Sequence, residues 1–180
     1  MYLSDALCRP PPAPVDKYFS PPYFEWWDRQ GEEYVGCETS IKAVEQCERE
    51  HGPFDGIIGF SQGACFTAML ASLNEFDHAG RMFPNLKFVM ILAGFYPRMP
   101  SFRDTHTLPI TIPALSVFGK SDFLRDDCLK LKNHFTHLTV VEHHGGHEPP
   151  TMSNGSDALV EIDRFLRAFI AQDSAAAEAT

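Results

Sequence analysis

Gly59-Phe60-Ser61-Gln62-Gly63 is the stretch of this 180-residue chain whose residue types point most directly to chemistry. It fits G-x-S-x-G, a pattern in which a serine sits on a sharp turn between a strand and a helix. Small residues two before and two after the serine let strand and helix approach closely, and the turn lifts the hydroxyl above the sheet edge. The next backbone N–H, that of Gln62, then lies at a helix N-terminus, where it can donate to a developing oxyanion. The competing reading is a plain strand-to-helix turn with Ser61 as a helix cap. A serine hydroxyl is a poor nucleophile at neutral pH, so acyl transfer also requires a base oriented by a carboxylate.

In α/β-hydrolases the chain order is Ser, then acid, then His, each on a loop that follows a strand. Downstream of Ser61 the apolar run ending at Phe118 leads into Gly119-Lys120-Ser121-Asp122, and a later one ending near Val141 leads into Glu142-His143-His144-Gly145-Gly146-His147. Asp122 is therefore the expected acid. Asp126 and Asp127 are its rivals, but they fall within a helical pattern, where acidic residues in a first turn complement the helix dipole. His147 is the expected base, because it lies beyond a Gly-Gly bend able to turn the chain over the sheet edge. His143 and His144 read as strand-end surface residues, with His144 the next candidate for the base. The intervals between the three are long enough for a connecting βα unit each. A zinc site built from His143, His144 and His147 with Glu142 or Glu148 is the alternative use of these histidines. Gly145-Gly146 interrupts the helix that would aim such ligands, so no metal is expected.

The elements needed to hold these residues are legible as switches between helical and strand periodicity. Thr39 or Ser40 can cap a helix that carries Ile41, Val44 and Cys47 on one face and stops at Gly52-Pro53. Phe54 to Phe60 reads as a buried strand, and Cys65, Ala68, Met69 and Leu73 recur at helical spacing after it. Leu86 to Leu92 and Ile112 to Phe118 read as further buried strands. A helix over Leu124 to Phe135, a strand over Leu138 to Val141 and a last helix with Leu159, Ile162, Phe165, Leu166 and Phe169 on one face complete the pattern. Nearly continuous apolar strands alternating with amphipathic helices predict an α/β fold, a mostly parallel sheet covered on both faces. Sites in such sheets form at the C-terminal ends of the strands, where Ser61, Asp122 and His147 would converge.

Taken together, Gly52-Pro53-Phe54-Asp55-Gly56 and Gly59 to Ala64, the upstream Trp26-Trp27, the Gly119-to-Asp122 turn and Gly146-His147-Glu148-Pro149-Pro150 resemble the FSH-type serine hydrolases, small α/β-hydrolases. The resemblance runs from about Phe24 to Phe169. It implies an esterase or thioesterase acting on a small acyl ester or thioester, with the nucleophile, acid and base roles falling on Ser61, Asp122 and His147. It also implies no metal and no organic cofactor. The family ordinarily opens with a strand ending in a Leu-His-Gly type segment, then a helix, and that segment supplies a second oxyanion N–H. No such segment occurs in this sequence, and Tyr2-Leu3-Ser4-Asp5-Ala6 reads as what remains of a later family strand. The expectation is an α/β-hydrolase domain truncated at its N-terminus, with oxyanion stabilisation weakened by about 10²–10³ in rate. A weak or inactive hydrolase fold serving as an interaction protein is the alternative.

The remaining features set bounds. One domain over 1–180 is expected from the length. Its first 22 residues are Pro-rich and irregular, reading as a surface connection in preference to a PxxP ligand, and its end, 173–180, is expected to fray. A net charge of −9 argues against nucleic-acid binding, which needs clustered Lys and Arg. No apolar run reaches the roughly 20 residues of a membrane span, and the first residues lack the pattern of a signal peptide. Five cysteines without a CxxC pair suggest free thiols, hence cytoplasm or nucleus. Trp26 and Trp27 are expected to anchor a loop on the core in preference to lining an acyl pocket, and Phe95, just after a strand at the active rim, is a candidate wall of a substrate pocket, with simple packing as its alternative.

Overall fold

The computed structural model describes residues 24–76 and 82–178; the Pro-rich 1–22 segment lies outside the described residues. A short antiparallel ribbon, β1 (Asp28–Gln30) with β2 (Glu33–Val35), leads into α1 (Cys37–His51). This helix begins before the expected Thr39 or Ser40 cap. Gly36 holds the cap position with φ of 87°, a left-handed conformation that suits glycine, and no side chain caps the helix. The Ser40 hydroxyl is used elsewhere, donating to the Trp26 carbonyl.

Four parallel strands follow in sequential spatial order: β3 (Gly56–Phe60), β4 (Phe88–Leu92), β5 (Ala114–Gly119) and β6 (Leu138–His143). The first three start two residues later than their apolar runs, because the runs include the approaches to the ladder. β6 extends past Val141, through Glu142 and His143, which pair with Phe118 and Gly119. The strands alternate the faces they serve. Val89, Ile91 and Ala114 join the core under α2 (Gln62–Phe76), whereas Met90, Leu115 and Val117 pack against Ile162, Phe165 and Leu166 of α5 (Met152–Glu178). Helices therefore cover both faces, as continuous apolar strands require. α2 is buried on nearly every side from Ala64 to Ser72, consistent with its small and apolar residues.

One further expectation needs adjusting. The Leu124–Phe135 helix is short: α4, after α3 (Pro100–Thr105), covers Arg125–Lys130, then a 3₁₀ turn spans Leu131–Asn133. Phe135 leaves the helix to form a parallel bridge with Ile110, and both are buried, so tertiary contact ends the helical pattern early. In α5 the helix is interrupted at Gly155, and its helical backbone runs on to Glu178.

Register places the site. Phe60 pairs with Leu92, Leu92 with Val117, Val117 with Val141 and Gly119 with His143. The loops that leave β3, β5 and β6 thus emerge along one rim of the sheet.

Candidate active site

Ser61 joins β3 to α2 with φ of 54°, in the left-handed region that residues with a Cβ seldom adopt. The surroundings hold it there. Its N–H donates to the Leu92 carbonyl at 2.9 Å, continuing the β3–β4 ladder, and its carbonyl accepts from the N–H groups of Ala64 and Cys65 at 3.0 and 3.1 Å. Strand and helix cross so closely that a Cβ at position 59 would lie 2.1 Å from the Gly63 carbonyl oxygen, so only glycine fits at 59. Gln62 opens α2. Its side chain accepts the Trp26 N–H at 2.8 Å and donates to the Trp27 carbonyl at 2.9 Å. Trp26 stacks on Phe66 and Trp27 on Tyr34, each at 4.5 Å between ring centroids, which matches the anchoring role expected of this pair.

Asp122 lies in the turn after β5. Its side chain is fully buried, and Oδ1 accepts the Leu124 N–H at 2.8 Å. Asp126 and Asp127 belong to α4, as expected. Asp127 pairs with Lys130 and Arg98, and hydrogen bonding to the Lys130 ammonium, with Arg98 alongside, holds its carboxyl below the usual carboxylate range. Asp122 is thus the acid that faces the rim.

The loop after β6 carries His147 over that rim. Its Nδ1 lies 3.1 Å from both oxygens of Asp122, and its Nε2 lies 2.8 Å from Ser61 Oγ. An ionised carboxylate only accepts, so the bonding assigns the ring hydrogen to Nδ1 and leaves Nε2 to accept the Ser61 hydroxyl hydrogen. The three side chains selected from the sequence, Ser61, Asp122 and His147, are brought into one hydrogen-bonded line. Such a line can move a proton from the hydroxyl to the imidazole while the carboxylate steadies the charge formed.

The other histidines divide. His144 is exposed, as expected, but His143 is only 1% exposed, not a surface residue. Its Nδ1 accepts the Gly145 N–H at 3.0 Å and its Nε2 donates to the Glu148 carbonyl at 3.1 Å, so it organises the loop from within. Both nitrogens of His143 and both of His147 are engaged, Glu142 is paired with Arg125, and Glu148 accepts from Asn154. Among the described residues no group of three or more His, Cys, Asp or Glu is arranged to hold a metal ion. Phe95 is half-buried against the core, with the Arg98 guanidinium 4.5 Å over its ring. Two aromatic rings that sequence reasoning did not select meet His147: Phe60 at 5.1 Å and Phe123 at 4.6 Å between centroids. Their adjacency to Ser61 and Asp122 in the chain was the available signal.

Comparison with known proteins agrees with this architecture. Residues 7–159 match a family model described as Serine hydrolase (FSH1). The chain is 32% identical over 134 residues to human (Homo sapiens) Esterase OVCA2, covering 72% of this chain and 58% of that protein. It is 38% identical over 143 residues to Esterase OVCA2 of Danio rerio, covering 77% of this chain and 60% of that one. The chain spans less than two thirds of the length of both of these relatives. The crystal structure of Zea mays acyl-protein thioesterase 2 superposes with a TM-score of 0.58 at 20% identity, over 80% of this chain and 71% of that chain. The fold they share is that of the α/β-hydrolases. No helix among the described residues is long and apolar enough to cross a membrane.

Proposed function

Because the chain belongs to the serine hydrolase (FSH1) family, we propose that it hydrolyses carboxylic esters or thioesters of an acyl substrate through Ser61, His147 and Asp122. The observation that carries this is the continuous hydrogen-bonded line from Ser61 Oγ to His147 Nε2 at 2.8 Å and from His147 Nδ1 to Asp122 at 3.1 Å. Ser61 Oγ bonds to the substrate carbonyl carbon as its proton passes to His147 Nε2, and Asp122 stabilises the imidazolium. The Gln62 N–H, at the start of α2, donates to the oxyanion. Collapse releases the alcohol or thiol with the proton from His147, and water, activated by the same imidazole, frees the acid. Phe95, which follows β4 at the same rim, serves as a wall of the acyl pocket. No step uses a metal or an organic cofactor.

A fluorophosphonate probe tests this directly: labelling at Ser61, together with turnover of p-nitrophenyl esters that disappears in Ser61→Ala, is the expected result. Folded protein that never labels at Ser61 would defeat the proposal.

A second reading, a hydrolase fold that acts as an interaction protein, draws support from one feature. Among the described residues no strand pairs with the outer edge of β3, where Ile58 is 56% exposed. Esterase turnover abolished by Ser61→Ala would rule it out as the sole function.

A further inference from the structure

Phe123 is 77% exposed, yet its ring centroid lies only 4.6 Å from that of His147, with the planes tilted by 45°. Phe60, 39% exposed, brings its own ring to 5.1 Å from the same imidazole, tilted by 37°. A phenyl group left so far in water buries little surface within the fold, so most of its face beside His147 stays free to be covered by a bound apolar group. Apolar surface of this kind beside reactive groups marks a place for a ligand.

The direction of proton transfer decides which part of a substrate would meet these rings. Ser61 Oγ forms a bond to the carbonyl carbon and gives its proton to His147 Nε2. When the tetrahedral intermediate collapses, the bond from carbon to the leaving oxygen or sulfur breaks, and the same proton passes from Nε2 to that atom. The leaving atom must therefore sit within hydrogen-bond reach of Nε2, and whatever it carries lies beside the imidazole. The acyl chain, attached to the carbonyl carbon, extends from a different corner of the tetrahedron.

We infer that Phe123, together with Phe60, forms the binding surface for the leaving group, and that the enzyme selects esters or thioesters of apolar alcohols or thiols. The inference rests on the Ser61–His147–Asp122 reading and adds to it a specificity determinant on the leaving-group side.

The test compares kcat/KM for ethyl and hexyl butyrate, whose alcohols are nearly equal in acidity, so that the chemistry is matched and only apolar contact differs. The wild type is expected to favour the hexyl ester. Phe123→Ala is expected to lower the hexyl-to-ethyl ratio about tenfold, the effect of a few methylenes losing partial burial, while Phe123→Trp retains it. The ratio of ethyl hexanoate to ethyl butyrate, which varies only the acyl chain, is expected to hold steady in both variants. If Phe123→Ala slows every ester by one factor, the ring merely positions His147 and the inference fails; if the acyl-chain ratio falls in place of the alcohol ratio, it fails as well. Fluorophosphonate labelling separates the two levels. A wild type that does not label at Ser61 defeats the hydrolase reading and this inference with it, whereas a labelled wild type without hexyl preference defeats this inference alone.

Discussion

Gly119, the last residue of β5, and Gly145, in the loop that carries His147, are packed backbone against backbone. A Cβ at position 119 would lie 2.2 Å from the Gly145 carbonyl oxygen and 2.3 Å from that of Gly146. Ser121 N–H donates to the same Gly145 oxygen at 3.1 Å, and Lys120 N–H to the His143 carbonyl at 2.8 Å. The acid loop and the histidine loop are thus seated on one another, and the Asp122–His147 contact follows from that seating. Gly119→Ala is expected to lift the loop, lowering stability by about 1–3 kcal/mol, as overpacking does, and reducing kcat/KM while the protein remains folded. Denaturant midpoints and ester turnover measured on the same sample check both effects.

Asp122→Asn keeps the size of the side chain but removes its charge. An amide can offer an N–H to Nδ1 and turn the imidazole to the tautomer that cannot accept from Ser61. The expected loss is about 10⁴ in kcat, with little change in thermal midpoint. Activity within tenfold of wild type would show that Asp122 does not orient His147.

His143 supports the site without touching Ser61. Replacing it by Ala leaves the Gly145 N–H and the Glu148 carbonyl without their partner and opens a cavity beside Gly155. A loss of about 2–4 kcal/mol is expected, with kcat falling more than KM rises because the loop that holds His147 loosens. Thermal unfolding and steady-state kinetics together test this; unaltered stability would contradict the internal role.

The backbone at Ser61 predicts an unusual order of stability. With φ of 54°, a Cβ is strained there and glycine is not. Both Ser61→Gly and Ser61→Ala abolish the nucleophile, yet Ser61→Gly is expected to be the more stable by about 1 kcal/mol, the reverse of the usual preference for alanine in ordered structure. Chemical denaturation of the two inert variants makes the comparison free of any effect on activity.

Buried thiols and a buried phenol set the alkaline limit. Burial, with Asp122 and Asp127 nearby, pushes Cys128 from 9.0 to about 12; burial, with Glu38 nearby, pushes Cys37 from 9.0 to about 11. Burial is also the main cause that takes Tyr34 from 10.0 to about 12. As the pH rises past about 9 the unfolded chain releases these protons first, so folding binds more protons and stability falls with pH. Stability is expected to be unaffected by these groups below about pH 9 and to decline between about 9 and 12. Denaturant midpoints across that range test the sign, and Cys37 and Cys128 are expected to resist iodoacetamide at pH 8 in the native protein.

The parts of this protein that depend on neighbours along the chain could be read directly. Alternating apolar strands and helices implied a covered parallel sheet, and Gly59-Phe60-Ser61-Gln62-Gly63 implied a sharp turn, because periodicity and steric room are local properties. That Asp122 and His147, and not Asp127 or His144, meet Ser61 was also accessible, since chain order and loop position constrain which side chains reach a common rim. What local pattern does not carry is how separate loops press together. The helix expected to reach Phe135 stops early because Ile110 draws that residue into a bridge, and His143 is an internal brace because Gly145 and Glu148 fold around it. The rings of Phe60 and Phe123 meet His147 only because the end of β3 and the loops after β5 and β6 close over the same point. Contacts between distant segments depend on the packing of the whole sheet, and no window of sequence contains them.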